Sequence, residues 1–346
     1  MQNGVRPMKN CPLFYILKNK RWVWAALAGL CFLSCILNLC FGAVSFSLDE
    51  MWNALFHSSV EKTSSRIILY TRLPRLLGSL IAGAALAAAG AVIQHVLDNP
   101  LASPHVIGVN AGAGFMVVFS SLLMPFSVWA APIAAFLGAF FTSMLVVGIS
   151  RHAGASRTTF ILSGIALSSI FSAGTDTLLL LYPNSLNGYT DFRIGGFSGL
   201  TLQKLFPGAL LIFLALFLLF FLTTQMDILA LGEDTAQALG LNTRKLRMVL
   251  LLLASILAGA SISFAGLLGF VGLIVPHMMR KWFGNESKRL LGASILGGAV
   301  LLSMCDLIAR TLFRPYELPV GIVMALGGGP FFLWLIFHKR GGRSRG

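Results

Sequence analysis

The feature that most constrains this chain is a succession of apolar segments, each about twenty residues long, that fills most of its 346 residues. A helix needs about 20 mostly apolar residues to cross a bilayer. In lipid every backbone N–H and C=O must find a partner within the segment, which a helix provides. The sequence therefore predicts an all-α polytopic membrane protein. Ten spans are expected, at 22–44, 76–97, 106–124, 128–150, 159–181, 205–224, 248–265, 267–282, 290–312 and 320–337. Composition agrees: 56% of residues are hydrophobic and 11% charged, against roughly 25% charged in a soluble domain. A soluble fold of this length could not hide so much apolar surface. No room remains for a sizeable soluble domain, so residues 1–346 read as one transmembrane domain.

The net charge is +14. In a soluble protein that excess would point to nucleic acid; here the position of the charges explains it. With the amino terminus in the cytoplasm, the cytoplasmic segments hold Arg6, Lys9, Lys18, Lys20 and Arg21, then Arg151 and Arg157, then Arg244, Lys245 and Arg247. Arg280, Lys281, Lys288 and Arg289 follow, and Lys339, Arg340, Arg343 and Arg345 complete the set. The outer segments hold Lys62, Arg66, Arg72, Arg75, Arg193, Lys204, Arg310 and Arg314. Inward bias of Lys and Arg sets orientation, and an even number of spans puts both termini in the cytoplasm, with 1–21 and 338–346 as its tails. No nucleic-acid partner is expected. Lys18 to Arg21 followed by a long apolar run has the order of a signal peptide, but the run is too long and no A-x-A site follows, so it reads as the first span. Cys11, Cys31, Cys35, Cys40 and Cys305 show neither metal-ligand spacing nor a disulfide framework. No metal and no cofactor are expected on this chain.

Small residues recur at four-residue spacing, as Ser79, Gly83, Ala87 and Ala91, as Gly108 and Gly112, and as Ser294 and Gly298. In lipid such faces let helix backbones approach closely. Outside the membrane three segments are long. The first, 45–75, contains Asp49-Glu50-Met51-Trp52, the start of a short surface helix; the second, 182–204, is polar and glycine-rich. The third, cytoplasmic 226–247, is the most informative. Gly232 and Gly240 bracket a stretch opening on Glu233 and Asp234, which favours a short helix. Gly240 fits a helix C′ position, and Asn242 or Thr243 can cap the next helix. Two short helices are expected there, with Leu231, Ala236, Ala238 and Leu239 forming an apolar knob suited to a partner.

Beyond these patterns the sequence resembles the binding-protein-dependent permeases for iron complexes, haem and vitamin B12, known as the FecCD type. The resemblance rests on Arg72-Leu-Pro-Arg75, Gly83-Ala-Ala-Leu86, Gly90-Ala-Val-Ile-Gln94, Asn99-Pro-Leu-Ala102 with Pro104, and Gly108-Val-Asn-Ala-Gly112. It continues through Leu231-Gly-Glu with Ala238-Leu-Gly240, then Gly269-Phe-Val-Gly-Leu-Ile-Val-Pro-His277 with Arg280, then Glu317-Leu-Pro-Val-Gly321 with Pro330-Phe-Phe-Leu333. These runs keep their order from about residue 22 to 337. The resemblance implies a type II ABC importer permease fold and a two-fold homodimer with the pathway along its axis. It implies two cytoplasmic P-loop ATPases, an extracytoplasmic substrate-binding protein, and a bacterial or archaeal cytoplasmic membrane. The chain itself has no G-x-x-x-x-G-K-[ST] run, so it is not expected to be an enzyme, and ATP-Mg would sit on the partner.

Roles carry over by matched positions. Leu231, Gly232, Glu233, Ala238, Leu239 and Gly240 would lie in the coupling helices gripped by the ATPases. Arg72, Arg75 and Arg310 would pair with carboxylates of the docked binding protein. Asn99 and Leu101, with Ser156, would form the cytoplasmic gate. The outer stretch Phe192-Arg-Ile-Gly-Gly-Phe-Ser-Gly199 departs from the Trp and Gly-Ser pattern of many siderophore permeases and is closer to vitamin B12 permeases. Of the ionisable residues inside spans, Asp306 lies four before Arg310 and reads as an i,i+4 pair, Asp176 sits near an outer end, and His277 reads as hydrogen-bonded packing. A secondary transporter or channel would need coupling or selectivity residues at the midplane. An intramembrane enzyme would need a set such as H-E-x-x-H; neither pattern is present.

Overall fold

The computed structural model describes residues 20–42, 44–56, 63–152 and 157–340, and every regular element among them is helical. In chain order these are α1 (Lys20–Cys40), α2 (Leu48–Phe56), α3 (Thr63–Val96), α4 (Val109–Leu123), α5 (Ala130–His152), α6 (Arg157–Leu181) and α7 (Leu186–Ile194). They continue as α8 (Leu202–Phe221), α9 (Thr223–Leu229), α10 (Glu233–Ala238), α11 (Thr243–Ala265), α12 (Val271–Phe283), α13 (Ser287–Thr311) and α14 (Val320–Arg340). Seven of them, α1, α3, α5, α6, α8, α11 and α13, are long and apolar enough to cross a membrane. Three more expected spans fall on α4, α12 and α14, whose apolar stretches are shorter.

The largest difference from expectation is at the second span, expected at 76–97: α3 begins at Thr63 and passes through a widened π turn at Ile68–Arg72 before running on to Val96. Arg66, Arg72 and Arg75 cut the hydropathy window short without stopping the helix. The outer segment 182–204 contains helix α7, ended by Gly195 at φ 74°. α2 does form, opened by a reciprocal cap in which Glu50 Oε2 accepts from Ser47 N at 2.9 Å and Ser47 Oγ from Glu50 N at 3.2 Å.

α3 is the axis of the bundle. Within its apolar window 83% of residues are buried, and it packs on α13, α11 and α12. Every residue from Ala82 to Gln94 is buried, so the helix is enclosed on all sides. The small stripes explain how. Gly83 of α3 faces Gly298 of α13 so closely that a Cβ on either would drive into the other's carbonyl. Gly112 of α4 and Gly138 of α5 meet in the same way, and a Cβ on Gly90 would drive into the carbonyl of Gly272 on α12. Lipid offers helices little hydrophobic drive to associate, so dispersion between close backbones must supply it.

The carboxy-terminal ends of α1 and α13 and the amino-terminal part of α3 are joined by a buried polar cluster. Asp306 of α13, 0% exposed, accepts from Arg75 Nε at 3.0 and 3.1 Å and pairs with Arg310 Nε at 3.2 Å. Arg75 also reaches Glu317 at 2.6 Å, in the connection to α14. Arg310 donates to the side-chain oxygen of Asn38 on α1, and Asn38 Nδ2 in turn donates to Ser34 O at 2.9 Å and Ser303 O at 3.1 Å. Arg72 donates to the carbonyls of Leu39 and Val44 and lies over the Phe46 ring, 4.4 Å from its centroid.

Removing one member of a buried pair strands the other charge. Asp306→Ala should therefore cost about 3–5 kcal/mol, read as a lower unfolding temperature and a smaller monodisperse yield in detergent, with Asp306→Asn losing less. An unchanged unfolding temperature in Asp306→Ala would remove the cluster from the supports of the fold. Gly298→Val should likewise lower the yield, because nothing in the Gly83 backbone can yield to the added methyls.

Candidate functional site

The three arginines expected on the outer docking face are the ones in this cluster. Arg72, Arg75 and Arg310 are 4%, 6% and 4% exposed, and each is engaged by partners within the chain. Among the acids that engage them, Asp306 is buried and Glu317 reaches the surface. The neighbouring Arg314 is exposed. The sequence pairs Arg310 with Asp306 but shows no acid for Arg75, since Asp306 and Glu317 lie 231 and 242 residues along from it.

The stretch 192–199 is also not an open loop. Leu267 N donates to Phe192 O at 2.9 Å, Gly196 N to Ala265 O at 2.8 Å, and Gly321 N to Gly195 O at 3.2 Å. This backbone junction ties the end of α7 to the end of α11 and the start of α14, and Phe197 within it is 1% exposed. The departure from the siderophore-permease pattern noted there therefore falls on packing residues.

Of the two short helices expected in 226–247, the one between Gly232 and Gly240 forms as α10, whereas the helix that Asn242 caps is the long α11; the other short helix, α9, lies before Gly232. α10 opens on Glu233 and Asp234, where acidic side chains favour a helix start. Gly232 and Gly240 flank it at φ 108° and 82°, conformations that a side chain would strain. Asn242 caps α11, its Oδ1 accepting from Lys245 N at 3.0 Å. Glu233 anchors the unit to α11 through Arg247 at 3.0 Å and accepts from Thr243 Oγ1 at 3.3 Å. Ala236 is buried underneath, while Leu231 and Leu239 are each 63% exposed and Ala238 is exposed beside them. The result is a rigid protrusion with an apolar tip.

The segment carrying Asn99 and Leu101 follows α3. Asn99 N donates to Gln94 O at 3.0 Å, Asn99 Oδ1 accepts from Leu101 N at 3.0 Å, and Asn99 O accepts from Ala102 N at 3.1 Å. Asn99 is thus the knot of a tight turn, a role asparagine fills readily. Ser156 lies outside the described residues, so its place beside these two is not given. A cleft of about 620 Å3 separates the Asn99 turn from the α9–α10 unit, lined by His95, Asp98, Arg247 and Arg280 among others.

α6 is the exception among the spans. Only 11% of its apolar window is buried, yet it exposes Ser169, Ser172, Asp176 and Thr177. Ser169, Ser172 and Asp176 share one helical face. Exposed polar groups on a spanning helix are costly against lipid, and a carboxylate more so. Among the described residues no group of three or more His, Cys, Asp or Glu could hold a metal.

Comparison with known proteins agrees with this arrangement. The profile of the FecCD transport family matches residues 30–338. The chain is 35% identical to the Fe(3+)-citrate import system permease protein YfmE of Bacillus subtilis, over 87% of this chain and 90% of that one. It is 35% identical to the hemin transport system permease protein HmuU of Yersinia pestis, over 88% and 91%. A solved structure described as an inward-facing conformation of a putative metal-chelate type ABC transporter superposes with a TM-score of 0.82 at 29% identity, covering 92% of this chain and 99% of that one. A multi-pass helical protein with a close-packed glycine-rich axis, this chain belongs to the FecCD transport family of ABC permeases.

Proposed function

We propose that this chain is the membrane-spanning permease subunit of an ATP-driven importer that carries a ferric chelate or haem into the cytoplasm. The observation that carries the reading is the α9–α10 protrusion. Its leucine tip is exposed on the side that holds the excess of Lys and Arg, and its base is fixed by the Glu233–Arg247 pair. Leu231 and Leu239 offer an apolar contact to a P-loop ATPase, and the bonds of Glu233 to Arg247 and Thr243 tie the unit to α11 so that its motion is transmitted. Nucleotide-driven closure of two such ATPases then re-tilts the spans as rigid bodies.

The polar face of α6 supports a second copy of the chain. Ser169, Ser172 and Asp176 belong against a water-filled pathway between two permeases rather than against lipid. A substrate-binding protein would deliver cargo to the outer face. There the arginine cluster sets the position of Glu317 and Arg314, with Arg75 as the direct link to Glu317. The relatives named for ferric citrate and hemin favour an iron complex over cobalamin. The orientation, with both termini in a bacterial inner membrane's cytoplasmic face, follows the charge bias.

In proteoliposomes holding the permease, its ATPase and its binding protein, ferric citrate or haemin should accumulate only when ATP is enclosed with the ATPase. Cobalamin should not. Accumulation driven by an ion gradient without ATP would overturn the reading. In a cysteine-free background, Ser172→Cys should react with a membrane-impermeant thiol reagent at least tenfold faster than Leu214→Cys, an apolar position exposed on α8. Equal rates would take α6 away from the pathway. Gly240→Val should reduce uptake per ATP hydrolysed several-fold while the ATPase stays attached, through strain at φ 82°.

A further inference from the structure

We propose that His95 is a positioning residue that carries motion of the coupling segment to the cytoplasmic gate turn. The inference rests on the importer reading and adds to it the physical route between its two cytoplasmic parts. His95 occupies the last turn of α3, and its Nε2 lies 2.6 Å from the carbonyl oxygen of Met226 in α9. A carbonyl can only accept, so Nε2 carries the proton and donates. That carbonyl already receives Ala230 N at 3.1 Å within α9, so His95 grips the helix without replacing its own bond.

The next residue back, Gln94, holds the turn. Its backbone oxygen accepts from Asn99 N at 3.0 Å, and Asn99 Oδ1 accepts from Leu101 N. Covalent and hydrogen bonds thus run without a gap from Met226 through His95 and Gln94 to Asn99 and Leu101. The side chain of Gln94 fixes the other side of the same turn of α3. Nε2 donates to Gly272 O at 3.1 Å and Oε1 accepts from Arg280 Nη2 at 3.1 Å, both on α12. α9 has a second tie, Asp227 Oδ1 accepting from Ser287 N at 2.8 Å at the start of α13. Coupling between distant sites needs contiguous, rigid contacts of this kind. The cleft of about 620 Å3 beside them leaves the turn space to move into.

His95 is also the weakest point of the route, since it alone joins α3 to α9 by a side-chain bond among the contacts described. His95→Leu keeps an apolar side chain of moderate size and removes the donor; His95→Gln keeps a side-chain N–H within reach of Met226 O.

The test uses the complete transporter in proteoliposomes, with Leu101→Cys in a cysteine-free background labelled from the cytoplasmic side by an impermeant maleimide. With His95 intact, labelling should change at least fivefold between nucleotide-free and ATP-analogue-bound states. With His95→Leu the nucleotide response should disappear and uptake per ATP hydrolysed should fall at least tenfold, while ATP is still hydrolysed. His95→Gln should restore a large part of both. A full nucleotide response in His95→Leu, or failure of His95→Gln to differ from His95→Leu, would overturn the relay while leaving the importer reading intact. A labelling rate that ignores nucleotide in the parent would overturn the importer reading as well. Where His95→Leu does not assemble, the comparison of His95→Gln with His95→Asn, whose shorter amide falls short of Met226 O, decides the same question: equal coupling in the two overturns the proposal.

Discussion

Close approach between helix backbones is the interaction on which the rest of the structure depends. In water, burial of apolar area would drive the helices together; in lipid that term largely vanishes between helices. What remains is contact. Gly83 against Gly298 and Gly90 against Gly272 bring α13 and α12 up to the wall of α3, and the alanines between them fill the remaining space. The same closeness makes charge tolerable. With α1, α3 and α13 this near one another, two arginines can share one aspartate, and the backbone of α1 can receive Arg72. Isolated in a loose bundle, each of those groups would carry a desolvation penalty of several kcal/mol.

The two ends of the bundle use polar groups differently. The arginine cluster is closed, with its charges facing one another and Glu317 partly in solvent. The opposite end is open, with bonds that run between elements rather than within one knot, and with a cleft beside them. A closed cluster resists rearrangement because every member shares partners with the others. An open series of single bonds transmits displacement from one element to the next. The difference fits a molecule whose cargo enters at one face and whose driving force enters at the other.

Much of this was legible in the sequence where the signal is local. Hydropathy located the spans; the glycine pair and the acidic start located α10; and Asn242 as a cap followed from its place before a basic, apolar run. The i,i+4 relation of Asp306 and Arg310 was legible for the same reason. What sequence reasoning missed is long-range or masked by charge. Arg72 and Arg75 end an apolar window and look like a loop, because hydropathy cannot see the carbonyls about thirty residues back that receive Arg72, nor the acids more than two hundred residues on that receive Arg75. The 192–199 stretch reads in sequence as part of a polar, glycine-rich outer segment, whereas in the fold its backbone pairs with two other segments. His95 carried no signal: a histidine at a helix end is common, and its partner is a main-chain oxygen that no sequence pattern marks.

The extra length of α3 has a mechanical consequence. At 34 residues it is a rod of about 50 Å, and its outer third is pinned to α1, α13 and the Glu317 connection. Such a rod turns about its pinned third. A push of about 3 Å at its far end, about 30 Å beyond Arg75, then needs a tilt of only about 5°, by the rise per residue of an ideal helix. Angles that small can be absorbed by sliding of methyl groups between neighbours, so the interior need not be repacked each time the transporter cycles.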